Sequence, residues 1–357
     1  MNFRYASGHS YNLNLDYPIT EVSITSGIYY IHIYAVDEFG NNKNKYQEIS
    51  ITAIPKKFKF VTVVNYINSN TITALKIDSL NNLSNLFTLT SDYSSSESNS
   101  NAQQLIVSGK TYGDLKAFDL NTNQFCWTVP IVSVPPFACF TNMKRIEENI
   151  YVSFFEGDIR AYNFSGAIVN SVSPIVGIYP MKILKFDKYL LVDYYLKTSP
   201  NDYVLALFTF STSSLSQQIP TSLQIVDLIE KDNNNVYVFG NNAGQAEMKL
   251  YNVANNSLFT VVNLPVGKIY SVVQVNSTNF LIAHDQGILL YETTTNLLST
   301  VIPINNAKKI KFEELSNEIY IAEPHKLSRY NYPDFSFINS INMTDSILDF
   351  HLIYNKN

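Results

Sequence analysis

Hydrophobic and polar positions along this chain alternate in short runs, and one arrangement returns seven times. A β-rich run ends in a small or apolar residue, then an aromatic or Leu, then a polar turn. The copies end at Leu75, Phe118, Tyr162, Leu207, Tyr251, Tyr291 and Tyr330, spaced by 39–45 residues. A fixed period of that size, written in strands, predicts a β-propeller of about one blade per period. Upstream of each copy lies a brief apolar burst: Leu105-Ile106-Val107, Ile150-Tyr151-Val152, Leu190-Leu191-Val192, Val236-Tyr237-Val238, Phe280-Leu281-Ile282 and Ile319-Tyr320-Ile321. Continuous apolar runs belong to strands covered on both faces, as they are when blades stack. Pro130, Pro174, Pro220, Pro265 and Pro303 recur at the handover between modules, where a missing N–H interrupts no interior ladder.

The expectation is an all-β fold: a seven-bladed propeller over residues 57–357, four strands to a blade. In the blade near residue 180 the strands are expected at 181–186, 188–195, 203–210 and 214–219. The same order fits 222–264, 267–303 and 305–343. Residues 346–354 form a strand with no blade of their own, and residues 58–65 begin as a second strand with no first. The C-terminal strand is therefore expected to become the innermost strand of the first blade, which removes two open edges. The second blade does not fit this scheme: its inner strand should fall near 91–102, but residues 91–101 are rich in Ser and Asn and read as a loop.

Residues 1–54 lack the period. The stretch GIYYIHIYAVDEFGN at 27–41 alternates, then meets an Asp-x-x-Gly-Asn turn, and a second strand is expected at 46–53. That stretch resembles the last two strands of an immunoglobulin-like module of bacterial surface proteins. The resemblance implies a partial module of about four strands and a longer, exported parent chain working outside the cytoplasm, in the periplasm or at the cell surface. Ile54-Pro55-Lys56-Lys57 reads as the linker.

Within the propeller, GDLKAFDLNTNQFCW at 113–127 resembles the repeat of quinoprotein-like propellers, which are WD40-like in architecture, and GDIRAYNFSG at 157–166 is a shorter match. The resemblance implies the fold. Dehydrogenases of that family carry eight blades, several with the repeat's Trp, whereas this chain has seven modules and one Trp. A quinone-dependent dehydrogenase is accordingly the third reading.

Composition narrows the remaining choices. A net charge of −5 with no basic run argues against nucleic acid as the partner. No apolar stretch reaches the ~18 residues of a membrane span. The two cysteines, Cys126 and Cys139, make no disulfide framework and read as buried thiols. With 12 glycines and no phosphate loop or Gly-x-Ser-x-Gly, nucleotide and serine-hydrolase chemistry have no support. The 41 asparagines sit mostly where tight turns are expected.

Candidate chemistry lies on the face where loops between second and third strands meet the inter-blade connections: Lys110, Glu156, Lys197, Asn241, His284, Asp285, Glu323 and His325. A mouth lined by two His and several carboxylates could hold a metal or support acid–base work; the plainer reading is solvated turn residues on separate blades. His9, His32 and His351 are scattered without metal-ligand spacing, and on the plainer reading neither metal nor cofactor is expected. His351, in the closing strand, faces either the channel or the blade stack and reads as a satisfied structural histidine. The leading functional reading is a non-enzymatic binding or scaffolding module with a protein or glycan partner. The rival is an enzyme acting on a glycan or small metabolite at the channel mouth.

Overall fold

A computed structural model describes residues 27–36, 39–51, 55–68, 70–109, 114–130, 140–154, 157–172, 178–196 and 202–355. Seven four-stranded antiparallel sheets follow one another in chain order. Blade one holds Phe58–Asn68, Thr71–Ile77 and Leu83–Thr90, and its innermost strand is the C-terminal Ser346–Tyr354, paired to it from Phe58↔Tyr354 to Tyr66↔Ser346. The ring closes as the sequence indicates, with no lone strand left at either end of the propeller. Blades two to seven span residues 95–129, 140–172, 178–221, 224–263, 269–302 and 309–342.

All seven sequence anchors fall in third strands, opposite the apolar burst of the second: Phe118 faces Leu105, Tyr162 faces Ile150, and Tyr291 faces Phe280. The core is correspondingly divided into seven clusters, one for each blade interface. Adjacent residues of one second strand serve different clusters. Val63 packs toward blade seven with Tyr320 and Phe350, while Val64 packs toward blade two with Leu105 and Phe118, and both valines are fully buried. This two-sided burial explains why the second strands read as unbroken apolar runs rather than alternating ones.

The asparagines find their use in turns. Asn81, Asn123, Asn256 and Asn296 each take a left-handed backbone (φ 46–65°) in the turn from third to outer strand, and Gly166 does the same in blade three (φ 82°). Every third-to-outer pairing also carries a register shift, as at Ala117/Phe118 in blade two and Ala161/Tyr162 in blade three. Such bulges add twist, which each blade needs to pass from channel wall to rim.

Three expectations are corrected. Residues 91–101 are not a loop throughout: Ser95–Asn99 is the inner strand of blade two, paired Ser95↔Ser108 to Asn99↔Gln104. Its Ser95 and Ser96 are buried against polar partners on neighbouring blades and Asn99 against the N–H groups of the turn that follows, so a strand with little apolar content is held by hydrogen bonds instead. Cys126 is exposed on the outer strand of blade two rather than buried; Cys139 lies outside the described residues. Ahead of the propeller, Gly27–Val36 and Asn42–Ile51 pair as a two-stranded antiparallel hairpin, so the second strand starts earlier than expected. The other strands anticipated before residue 27 lie outside the described residues. No helix of the described residues is long and apolar enough to cross a membrane.

Candidate functional site: the channel and its rim

Five of the rim residues singled out by sequence lie among the described residues, at second-strand ends and the turns beyond them, and each is engaged where it stands. Asn241 of blade five clamps the inner strand of blade six: its Nδ2 donates to the Ile269 carbonyl (3.0 Å) and its Oδ1 accepts the Ile269 N–H (2.8 Å). His284 is fully buried, and its Nδ1 accepts the Gln286 N–H at 3.1 Å. Burial lowers its pKa, against the opposing pull of Asp285 and the Pro265 carbonyl, so the ring is neutral. Asp285 accepts the Tyr270 hydroxyl (2.7 Å) and the Lys268 N–H (2.8 Å), and these two bonds hold its carboxyl below the ordinary range. Gly267, at φ +136°, permits the packing; a Cβ there would stand 2.8 Å from His284 Cε1.

On blade seven, Glu323 pairs with Lys326 at 2.6 Å, and His325 Nε2 meets the Ser346 hydroxyl at 3.2 Å. The Pro324 and His325 carbonyls accept the N–H groups of Ile347 and Met343, tying this turn to the start of the closing strand. Among the described residues, no hydrogen bond or ion pair joins His284 or Asp285 to Glu323 or His325. Lys110, Glu156 and Lys197 lie outside the described residues.

The richer chemistry is inside the ring. A cavity of about 290 Å³ runs along the axis and is lined by all seven innermost strands. Inner strands do alternate, and their polar positions point inward: Lys309 and Lys311 flank buried Ile310, and Asp349 and His351 flank buried Phe350. The charged lining comprises Glu97, Lys144, Lys182, Asp227, Lys309, Lys311 and Asp349, with His351 beside them. Each lysine keeps some solvent-accessible surface along the channel although protein surrounds it.

Lys309 Nζ and Asp349 Oδ2 form a 2.7 Å ion pair, and the Phe350 N–H also donates to Asp349 (2.7 Å). Burial opposes the charge on Asp349, but Lys309, His351 and Lys311 outweigh it and hold the carboxyl well below its usual range. Burial likewise opposes the Lys309 ammonium, and Asp349 more than compensates, so its pKa rises. Lys311 differs: burial, only partly offset by Asp349, brings it down to about 8. His351 is pushed down to about 3, first by burial and next by the neighbouring Lys311. The neutral imidazole accepts from Lys311 Nζ at Nδ1 (3.4 Å), which leaves Nε2–H to donate to Ser96 Oγ (2.9 Å). Glu97 Oε1, at 3.8 Å from Nδ1, is therefore no ion-pair partner of this ring. Glu97 instead accepts the Ser98 N–H (2.9 Å) and the Arg145 N–H (3.2 Å), locking blade two to blade three. Among the described residues, no group of three or more His, Cys, Asp or Glu side chains is placed to hold a metal ion.

Sequence reasoning left Glu97, Lys144, Lys182, Asp227, Lys309, Lys311 and Asp349 out of the candidate set. A signal was present: Lys-x-Lys at 309–311 and Asp-x-His at 349–351 interrupt strands whose second-strand neighbours carry no charge in their apolar bursts.

No protein-family model matches the chain, and no curated protein matches it in sequence. Solved structures do match in fold. A protein from Lactobacillus plantarum superposes with a TM-score of 0.61 at 10% identity, over 83% of this chain and 100% of that one. The WD40 β-propeller domain of Doa1 gives 0.55 at 10% identity, over 74% and 86%. Raptor of Chaetomium thermophilum gives 0.59 at 10% identity, over 74% of this chain and 28% of that one. These likenesses establish the class: a seven-bladed β-propeller with WD40 propellers among its structural neighbours.

Proposed function

We propose that this chain is a non-enzymatic binding propeller that engages a protein partner through the channel-mouth face. The observation that carries this reading is the way the rim between blades five and six is fixed. Asn241, Asp285 and Gly267 hold the blade-five-to-six connection in one conformation, and Val266 stands out from it at 80% exposure. Gln286 Nε2 donates to the Val266 carbonyl (3.2 Å), and Lys308 of the next connection lies 4.0 Å over the Tyr270 ring. A surface ordered in advance loses little entropy on association, which suits a scaffold. Asn241, His284, Asp285, Glu323 and His325 belong to this face as the residues that shape it. Acid–base catalysis at the mouth would need the two His–carboxylate pairs to converge on one substrate, and they are held by separate contacts. The stretch at 27–41 that resembles a bacterial surface module supports an extracytoplasmic setting.

The test is cross-linking and capture with the full chain in extract of its own host, wild type against a V266E/K308E double variant that melts at the wild-type temperature. A protein retained in stoichiometric amount by the wild type and reduced at least tenfold in the variant is the expected result. Capture of the same protein by both would refute this face as the interface.

A further inference from the structure

We propose that the central channel is a binding site for a small oxyanion, a carboxylate or phosphate group, held chiefly by Lys182 with Lys144 and Lys311. This site is separate from the rim and stands or falls independently of the reading above.

The argument begins with how the four channel lysines are matched. Lys309 has Asp349 at 2.7 Å, and Lys311 donates to the neutral His351 at 3.4 Å. Lys182 and Lys144 have no such partner: among the described residues the ammonium group of neither forms a hydrogen bond or an ion pair. The carboxylates near them form no ion pair with either lysine and accept backbone N–H groups instead. Asp227 accepts the Leu228 N–H at 2.9 Å, and Glu97 accepts two backbone N–H groups. Asp193, directly across from Lys182 in the strand pairing, is 1% exposed and is not among the residues that line the cavity; burial raises its pKa, against the pull of Lys182.

The channel is thus lined by four ammonium groups and three carboxylates, with His351 neutral. Lys182 experiences the consequence: burial lowers its pKa, and Lys309 and Lys144 lower it further, against the pull of Asp227 and Asp193. Like charges gathered in a confined space are relieved by an anion, and an oxyanion presents several acceptors to donors converging from different blades. Lys182, Lys144 and Lys311 project from the inner strands of blades four, three and seven. Ser95 and Tyr270 line the same cavity. The cavity, about 290 Å³, matches a metabolite-sized acid rather than a polymer.

Binding should also move a proton. Lys311 sits near pKa 8, facing Asp349, Lys309, Glu97, Lys144 and His351, and an anion beside it favours the ammonium. At pH 8 a fraction of a proton is taken up from buffer as the ligand enters.

The experiment is isothermal titration of the full chain with inorganic phosphate and, separately, succinate, at pH 8 in two buffers of different ionisation enthalpy. Saturable one-to-one binding of at least one probe, with a heat that depends on the buffer, is expected; which probe binds more tightly separates the two ligand chemistries. K182M should weaken binding at least tenfold, and K268M, on the rim, should leave it unchanged. Should K182M fail to fold, K144M carries the same expectation. No saturable binding of either probe at millimolar concentration, or equal affinity in K182M and wild type, would overturn the proposal.

Discussion

Trp127 offers the sharpest test of how the blades are held together. Its Nε1–H donates to the Phe164 carbonyl at 2.6 Å, across the interface between blades two and three, and its indole lies flat enough on Gly166 that a Cβ there would stand 2.9 Å from Cε3. Gly166 also carries φ +82°, so its lack of a side chain is required twice. In W127F the Phe164 carbonyl still accepts from Gln104 Nε2 (3.1 Å), so no acceptor is orphaned and the hydrogen-bond loss is about 1 kcal/mol. The space left by the smaller ring beside Met143 and Ile150 adds roughly 1–2 kcal/mol. The total, about 2–3 kcal/mol, corresponds to a fall in melting temperature of roughly 3–5 °C for a domain of this size. G166A should cost roughly 1–3 kcal/mol through backbone strain and the ring clash. Because the smaller Phe relieves that clash, the double variant should be more stable than the sum of the singles by about 1 kcal/mol. Urea unfolding followed by far-UV circular dichroism, applied to all four proteins, supplies the cycle. A W127F change below 0.5 kcal/mol, or strictly additive effects, would refute the bracing role.

Three further outcomes follow from other contacts. G267A, with φ +136° and a 2.8 Å approach to His284 Cε1, should destabilise by about 2 kcal/mol in the same urea assay, and G244A, whose Cβ meets nothing nearer than 3.7 Å, should cost less. His351 titrates near 3 in the folded protein and near 6.5 unfolded; between those values the unfolded chain binds the extra proton, so stability falls as pH drops, by at most about 1.4 kcal/mol per unit. H351Q should flatten the 5–6.5 part of that profile, above the range where Glu97 and Asp349 contribute, and an unchanged slope would locate the effect elsewhere. Ending the chain at Asp345 removes the closing strand, with buried Phe350 and Ile353, and bares the edge of Phe58–Asn68; size-exclusion chromatography should then show association or aggregation in place of the full-length species.

The fold was legible because it rests on repeated signals that local physics writes directly. Third-strand anchors, two-sided apolar second strands, Asn at left-handed turns and an unpartnered terminal strand all depend on pattern, and all are found where the pattern places them. The inner strand of blade two was hidden for a physical reason: Ser95 and Ser96 are buried against polar partners brought from distant parts of the chain, such as His351 for Ser96, and Asn99 against the N–H groups of its own turn. Hydrophobic periodicity has no way to register a strand stabilised that way.

The same reason separates rim from channel. His284 and Asp285 attract attention in the sequence because they are adjacent titratable residues, yet their partners, Gln286, Lys268 and Tyr270, are local and make them pieces of a turn. Lys144, Lys182 and Lys311 look like ordinary strand lysines, since each lies on a different blade and no segment shows that they meet. Only ring closure brings them to one cavity, and only then does the shortage of matching carboxylates become a property of the molecule rather than of any segment. In a propeller, the chemistry of the axis is a sum over all blades, so it emerges when the seventh interface forms. Lys311, His351, Ser96 and Glu97 meet across that seam and the neighbouring blade-two strand. An occupant held by Lys144, Lys182 and Lys311 would join blades three, four and seven across the axis, and its binding would reinforce the closed ring.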